Sequence, residues 1–256
     1  MKKSLSKPLS NSWTEYGAFV PTVLMGAVLS IVSGCSNPGP GQEYSDPYEA
    51  QNRKVHALNL AVDSAIFGKG EVDSPIPEPV ARAANNFTDN LGMPSAVVNS
   101  LLQGRPDPAI RNAVRFLFNT TAGIGGLFDP ATAVGLNAED TDFGETLHVW
   151  GVGEGNFLML PVVGPSTERD LAGKIVDAAL NPLGGVFDKP ESDYIHGVKV
   201  FSKVADRLTY SDAVTSILYD SADSYAQLRL FYLQNRRHEL GVEEQVFDPY
   251  EDPYGQ

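Results

Sequence analysis

The side chains that most often carry chemistry are scattered in this sequence. Four histidines stand at positions 56, 148, 196 and 238 of 256 residues. None has a second ligand at the short spacing of a zinc site. The stretch GPSTE (164–168) begins like the turn that holds a nucleophilic serine, but it lacks the second glycine. Since no nucleophile, base and oxyanion donors can be assembled, we expect no catalytic residue, no metal, no cofactor and no enzyme.

Two further stretches match ligand-binding loops only in part. GVGEGN (151–156) has Asn156 where a dinucleotide-binding loop needs its last glycine, and no clear strand precedes it. NAEDTDFGE (137–145) is acidic, but Gly144 follows Asp142 too soon for a calcium loop. The first is weak evidence for a nucleotide, and the second is best interpreted as charged surface.

The single cysteine, Cys35, follows an export signal. Three lysines precede an apolar run over 17–32, which is shorter than the roughly 20 apolar residues of a membrane-spanning helix. The junction Val-Ser-Gly-Cys (32–35) resembles the lipobox of bacterial lipoproteins, in which the cysteine becomes the acylated first residue. We therefore predict a signal peptide over 1–34 and covalent acyl chains on Cys35 that anchor the chain without spanning the membrane. By the same resemblance, Ser36 permits sorting to the outer membrane.

The net charge restricts the partners. It is −13 for the whole chain, and removal of 1–34, with three lysines and one glutamate, takes it to −15. Nucleic-acid binding, which needs a basic surface, is not expected. A general electrostatic attraction to anionic headgroups is not expected either, so membrane contact must be mainly apolar.

One domain follows the signal. Residues 35–45 are rich in Pro and Gly and predict an acylated tether, and 241–256 predict an acidic disordered tail. Between them, 46–240 predict a mainly helical domain. Thr167, with Asp170 three residues on, has the spacing of a helix capping box. Helices are predicted over 49–63, 79–90, 94–103, from 107 onward, after 167, over 191–208 and over 211–236, with one candidate strand in 156–164.

The stretch LFNTTAGIGGLFDPATAVGL (117–136) is as long as a membrane-spanning helix and carries one charge, Asp129. Four glycines and the Asp129-Pro130 break would disrupt a lone helix in lipid. No strand, lysine or basic surroundings support a phosphate-binding loop. We predict a helix end followed by a glycine-rich bend.

Five segments in order resemble the VacJ/MlaA family of lipoproteins. They are DPYEAQNRKVHALNLAVD (46–63), IPEPVARAANNFTDNL (76–91), PSAVVNSLLQG (94–104), RFLFNTTAGIGGLFDPATAVGL (115–136) and the stretch 139–170. The resemblance extends from about Asp46 to Gly184 and weakens through the last two helices.

The resemblance implies a ring-like bundle of amphipathic helices that lies in the inner leaflet of the outer membrane, facing the periplasm. It implies a trimeric porin and a periplasmic lipid carrier protein as partners. Phospholipid mislocalised in the outer leaflet would pass down an amphipathic channel to the carrier. Two alternatives remain: a structural porin-binding lipoprotein that moves no lipid, and a lipid hydrolase, for which no nucleophile is apparent.

Family motifs suggest which residues form the lipid path or close the ring, with helix packing as the alternative role. Thr167, Arg169 and Asp170 are expected to cap and fix a helix start. Two departures from the family pattern, Gln51 and the stretch 64–74, are places where porin contact or ring geometry can differ. The candidate lipid-path or ring-forming residues are Asn52, Arg53, Asn59, Asp63, Gly123, Gly125, Gly126, Leu127 and Phe128.

Overall fold

The structure, a computed structural model, describes residues 44–70, 72–180, 186–187 and 189–242. The predicted signal peptide, Cys35 and nearly all of the tether and tail lie outside these residues. The described part is mainly helical, which confirms the predicted fold class. The elements in chain order are α1 (Glu49–Phe67), α2 (Glu78–Leu102), α3 (Pro106–Thr121), α4 (Pro130–Ala133), α5 (Phe143–Val149), β1 (Phe157–Leu160), β2 (Gly164–Thr167), α6 (Glu168–Leu180), α7 (Glu191–Thr209), α8 (Ser211–Thr215), a π-helical turn (Ser216–Asp220) and α9 (Ser224–Glu239).

Helix α2 corrects one prediction. The separate helices expected over 79–90 and 94–103 form a single helix with Pro94 inside it. A proline normally ends a helix because it removes one hydrogen bond and crowds the preceding turn. Here α2 packs against both α3 and α7. Tertiary packing along its length therefore outweighs the local cost of Pro94.

The helix predicted over 211–236 was also wrong, because it is interrupted. Helix α8 ends at Thr215, a π-helical turn follows, and Ser221 is extended with φ −80° and ψ 147°. Asp223 then starts a new helix, since its side chain accepts a hydrogen bond from the Ala226 N–H.

The strand predicted in 156–164 is confirmed as β1. It pairs antiparallel with β2, with Phe157 opposite Thr167 and Leu160 opposite Gly164. At the tip of this hairpin Val162 has φ 65°, a left-handed conformation that β-branched residues rarely adopt.

The buried apolar side chains form two small clusters, one between the hairpin and α9 and one between α5 and α6. Phe157 and Met159 of β1 pack with Tyr225 and Leu233 of α9. The second cluster joins α5 to α6 and consists of Phe143, Leu147 and Ala172. Across the described ranges, the helices lack the combination of length and hydropathy that a membrane crossing requires.

Candidate functional site

Helix α3 has its polar face inside and its apolar face outside. Asn112, Arg115 and Asn119 are buried, at successive turns of the helix. Ile110 and Leu117 are 63% and 62% exposed, and both lie on the opposite side. A helix of a protein in water shows the reverse arrangement. The exposed apolar face of α3 is therefore suited to an apolar surrounding, either lipid or another protein.

Hydrogen bonds satisfy most of the buried polar face, with Nε of Arg115 as the exception. Arg115 donates to Asp129 Oδ2 at 3.0 Å and to Thr132 Oγ1 at 2.9 Å. Asn119 donates to Asp129 Oδ1 at 2.9 Å and accepts from the Ala131 N–H at 3.1 Å. Burial alone would raise the pKa of Asp129, but the hydrogen bonds from Thr132, Asn119 and Arg115 lower it to about 2. The charged carboxylate thus fixes the loop after α3 to the inner face of that helix.

The glycine-rich bend is closed by contacts that exclude side chains. A Cβ on Gly123 would lie 2.3 Å from the Phe128 carbonyl oxygen, and one on Gly126 would lie 2.7 Å from the Asn90 side chain. Gly125, at φ 71°, faces open space, so only its backbone conformation requires glycine. Gly123 and Gly126 therefore pack the bend against itself and against α2.

Apolar side chains of the same bend point outward. Phe128 is 59% exposed, and Ile124 and Leu127 are exposed beside it. Together with the exposed apolar residues of α3 they are here called the outer apolar face, defined by Ile110, Val114, Leu117, Ile124, Leu127 and Phe128.

A polar cavity of about 570 Å³ lies between α2 and α7. Hydrogen bonds cross it: Ser202 donates to Asn85 Oδ1 at 2.5 Å, Asn85 donates to Asp206 at 2.6 Å, and Thr88 donates to Ser202 at 3.2 Å. Because Asn85 pairs with both Ser202 and Asp206, and Thr88 with Ser202, the two helices run antiparallel. The cavity lies within the range of about 300–1,000 Å³ that is usual for small-molecule sites.

Four charged side chains line this cavity: Asp89 of α2, and Lys199, Lys203 and Asp206 of α7. Lys203 Nζ lies 4.0 Å from Asp206 Oδ2. Poor solvation, and then the charge of Asp140, raise the pKa of Asp89. The cavity thus offers both signs of charge, and the two lysines and Asp89 are exposed to solvent.

The first family motif forms structural contacts. Asn52 is buried, donates to the Phe157 carbonyl at 3.1 Å and accepts from the Met159 N–H at 3.0 Å. Asn59 contacts the same strand edge further along. Gln51, one of the two departures from the family pattern, is exposed on α1.

The charged residues of that motif join α1 to the C-terminal helices. Arg53 binds both carboxylate oxygens of Asp223, at 3.0 and 2.8 Å. Asp63 accepts two hydrogen bonds from Arg207, at 2.8 and 3.0 Å, and one from Tyr219 at 2.7 Å. These two ion pairs hold the segment on each side of the π-helical turn.

The helix-start residues also serve packing. Thr167 Oγ1 accepts from the Asp170 N–H at 3.2 Å, as in a capping box. Asp170 is buried and binds Tyr232 and Arg236 at 2.5 and 3.2 Å. Arg169 Nε lies 3.7 Å from Asp170 Oδ1. The predicted site residues that the structure describes thus belong to separate places, and none of them lines the polar cavity.

The MlaA lipoprotein family model matches residues 44–239. The chain belongs to the MlaA lipoprotein family. It is similar to an uncharacterized protein of Rickettsia bellii, with 38% identity over 203 residues and 77% of each chain covered. The intermembrane phospholipid transport system lipoprotein MlaA of Escherichia coli is 32% identical over 237 residues, which are 89% of this chain and 90% of the relative. A similar protein of that name from Haemophilus influenzae is 30% identical over 224 residues, with 83% and 88% covered.

One solved structure shares the fold of this chain. It comes from work on the structural basis for maintenance of bacterial outer membrane lipid asymmetry. Its TM-score is 0.62 at 29% identity, and the match covers 77% of this chain and 99% of the solved chain. The MlaA fold is therefore present over the described helices.

Sequence reasoning missed the polar cavity and the inverted orientation of α3. The signal for the inversion was present in the MlaA segment 115–136 and just before it, since Asn112, Arg115 and Asn119 recur at helical spacing. The pattern defines two faces but does not say which one is buried. The cavity joins residues more than 100 positions apart, such as Asn85 and Ser202, and no local pattern predicts that pairing.

Proposed function

We propose that this lipoprotein removes mislocalised phospholipid from the outer leaflet of the outer membrane and passes it to a periplasmic lipid carrier protein. In this proposal acyl chains on Cys35 anchor it, the helical domain lies in the inner leaflet as a ring, and a trimeric porin holds it there. Its membership of the MlaA family and the names of its relatives support a role in phospholipid transport.

The inverted amphipathicity of α3 is the observation that carries the proposal. Contact between an outer apolar face and lipid carries no hydrophobic penalty. Buried polar groups, in contrast, must find their hydrogen-bond partners within the protein. Asn119 and the terminal nitrogens of Arg115 meet that condition, with Asp129 as a shared partner, whereas Nε of Arg115 has no hydrogen-bond partner. A domain embedded in one leaflet has this arrangement without any helix crossing the bilayer.

The polar cavity supplies the second requirement of a lipid path. A phospholipid that moves through protein needs polar contacts for its headgroup and apolar contacts for its chains. Lys199 and Lys203 offer ammonium donors in the cavity. A separate apolar recess between α2 and α3, lined by Val97 and Phe116, lies on another side of α2 and offers apolar contacts for acyl chains.

The test is a gene deletion with complementation. In cells that lack this gene, we expect more phospholipid in the outer leaflet, measured by its accessibility to added phospholipase. The wild-type gene should restore the low level, and a Cys35→Ser variant, which cannot be acylated, should not. A wild-type protein that is acylated and copurifies with porin, but leaves the phospholipid level unchanged, would establish the structural porin-binding role instead.

A further inference from the structure

The polar cavity differs in charge from the rest of the chain. The whole sequence has 32 acidic and 19 basic side chains. The cavity has two of each, Asp89 and Asp206 against Lys199 and Lys203. A cavity that holds equal numbers of both signs matches a ligand that carries both signs itself.

Two of these four groups are open to a ligand. Among the residues that the structure describes, Lys199 and Asp89 make neither a hydrogen bond nor an ion pair through their side chains. Lys203 has only a long contact of 4.0 Å to Asp206. Lys199 and Lys203 are exposed to solvent, so a ligand can reach their ammonium groups without breaking a close ion pair.

The arrangement places the two signs side by side. Lys199 and Lys203 are four residues apart and therefore on one face of α7. Asp89 lies on α2 and interacts electrostatically with Lys203 and Asp206. Asn85 holds Asp206 in place by a 2.6 Å hydrogen bond.

We propose that this cavity binds the headgroup of a zwitterionic phospholipid of the ethanolamine class. The phosphate contacts Lys199 and Lys203, and the ammonium donates hydrogen bonds to Asp89 and Asp206. The inference rests on the proposed function, because it names the headgroup that the same path accepts.

An anionic headgroup such as phosphoglycerol fits this cavity less well. Its phosphate would pair with the lysines, but Asp89 and Asp206 would then face a ligand that brings no positive charge. The raised pKa of Asp89 reflects the same disadvantage of a carboxylate in this place. A choline headgroup has the charge but no N–H to donate.

The experiment compares lipids on the acylated full chain in detergent. Phosphatidylethanolamine, phosphatidylglycerol and phosphatidylcholine with identical acyl chains compete for the protein, and native mass spectrometry reports the bound fraction. We expect ethanolamine lipid to be preferred over the glycerol lipid by about tenfold, the ratio that corresponds to one modest charge interaction. Asp89→Lys should reverse this preference, and Lys199→Gln with Lys203→Gln should weaken binding of both lipids.

Matched controls remove the same charges elsewhere. Lys54 and Asp73 are exposed and lie outside the cavity, so Lys54→Gln and Asp73→Asn should leave the preference unchanged. Equal binding of the three lipids, or no response to Asp89→Lys in a folded protein, overturns the headgroup inference. If outer-leaflet phospholipid is still cleared in cells, the proposed function survives that result. If the preference is found but clearance is absent, the inference stands and the translocation proposal fails.

Discussion

Asn52 and Asn59 lie two turns apart on α1 and bind the same edge of β1. Asn52 contacts the Phe157 carbonyl and the Met159 N–H, and Asn59 contacts the Leu160 carbonyl at 3.0 Å and the Val162 N–H at 2.8 Å. Each amide therefore replaces the backbone of a neighbouring strand. Two side chains of α1 therefore stabilise the short hairpin, one at each end of the edge of β1 that does not pair with β2.

Loss of Asn52 should destabilise the domain. Asn52→Ala leaves a buried carbonyl and a buried N–H without partners, so we expect about 2–4 kcal/mol less free energy of unfolding. Asn59→Ala, which affects a more exposed contact, should cost about 1–2 kcal/mol. Denaturant unfolding of the purified protein measures both. Gln51→Ala, at an exposed neighbouring position, is the control, and an equal loss there would contradict the role of the amide pair.

The glycine-rich bend gives a graded prediction. Gly123→Ala places a Cβ against the backbone and should be the most damaging of the bend variants. Gly125→Ala meets only the left-handed backbone and should cost about 1–2 kcal/mol. Gly92, inside α2 with open space around it, is the matched control, and Gly92→Ala should stabilise by about 0.5–1 kcal/mol. Thermal unfolding ranks the three variants, and a Gly123→Ala protein as stable as wild type would show that the bend opens freely.

Asp129 makes stability depend on pH. Its folded-state pKa of about 2 lies below the ordinary 3.8, so its contribution is complete above pH 4 and is lost as the pH falls toward 2. Allowing for partial exposure to solvent, that contribution is about 1–2 kcal/mol. Asp129→Asn should remove this part of the pH profile, whereas Asp73→Asn should keep it. Unfolding curves from pH 2 to 6 measure the difference, and identical profiles for both variants would refute the assignment.

Trp150 provides a test of the proposed position in the leaflet. After removal of 1–34 it is the only tryptophan of the chain, since the other is Trp13. The residue is 54% exposed, and its Nε1 donates to the Leu102 carbonyl at 3.2 Å. Tryptophans of this kind lie at membrane interfaces. Brominated lipids should quench its fluorescence, and quenching by a water-soluble quencher alone would oppose an in-leaflet position.

Phe128→Asp tests the outer apolar face. A charge at this exposed position should leave the unfolding free energy nearly unchanged, because little packing is lost. In lipid the same charge is costly, so clearance of outer-leaflet phospholipid should fall. Phe128→Leu is the matched control. Loss of the folded protein would instead assign Phe128 to the core.

Local patterns predicted α1 from its hydrophobic period and the start of α6 from the cap at Thr167. They failed at Pro94, where packing on both sides of α2 overrides a helix breaker. They also failed at 216–223, where the Asp223 side chain caps a new helix start. The family motifs located Asn52 and Asp63 but not their role, which depends on partners more than 100 residues away. Local patterns could not predict the polar cavity for the same reason.

The outer apolar face affects how the protein behaves in water, before any contact with lipid. Exposed apolar surfaces associate with one another in water, and this association leads to aggregation. Any aqueous stage between synthesis and the bilayer is therefore hazardous for this chain. We expect it to travel with an escort that shields Leu117 and Phe128 and releases them only at the lipid.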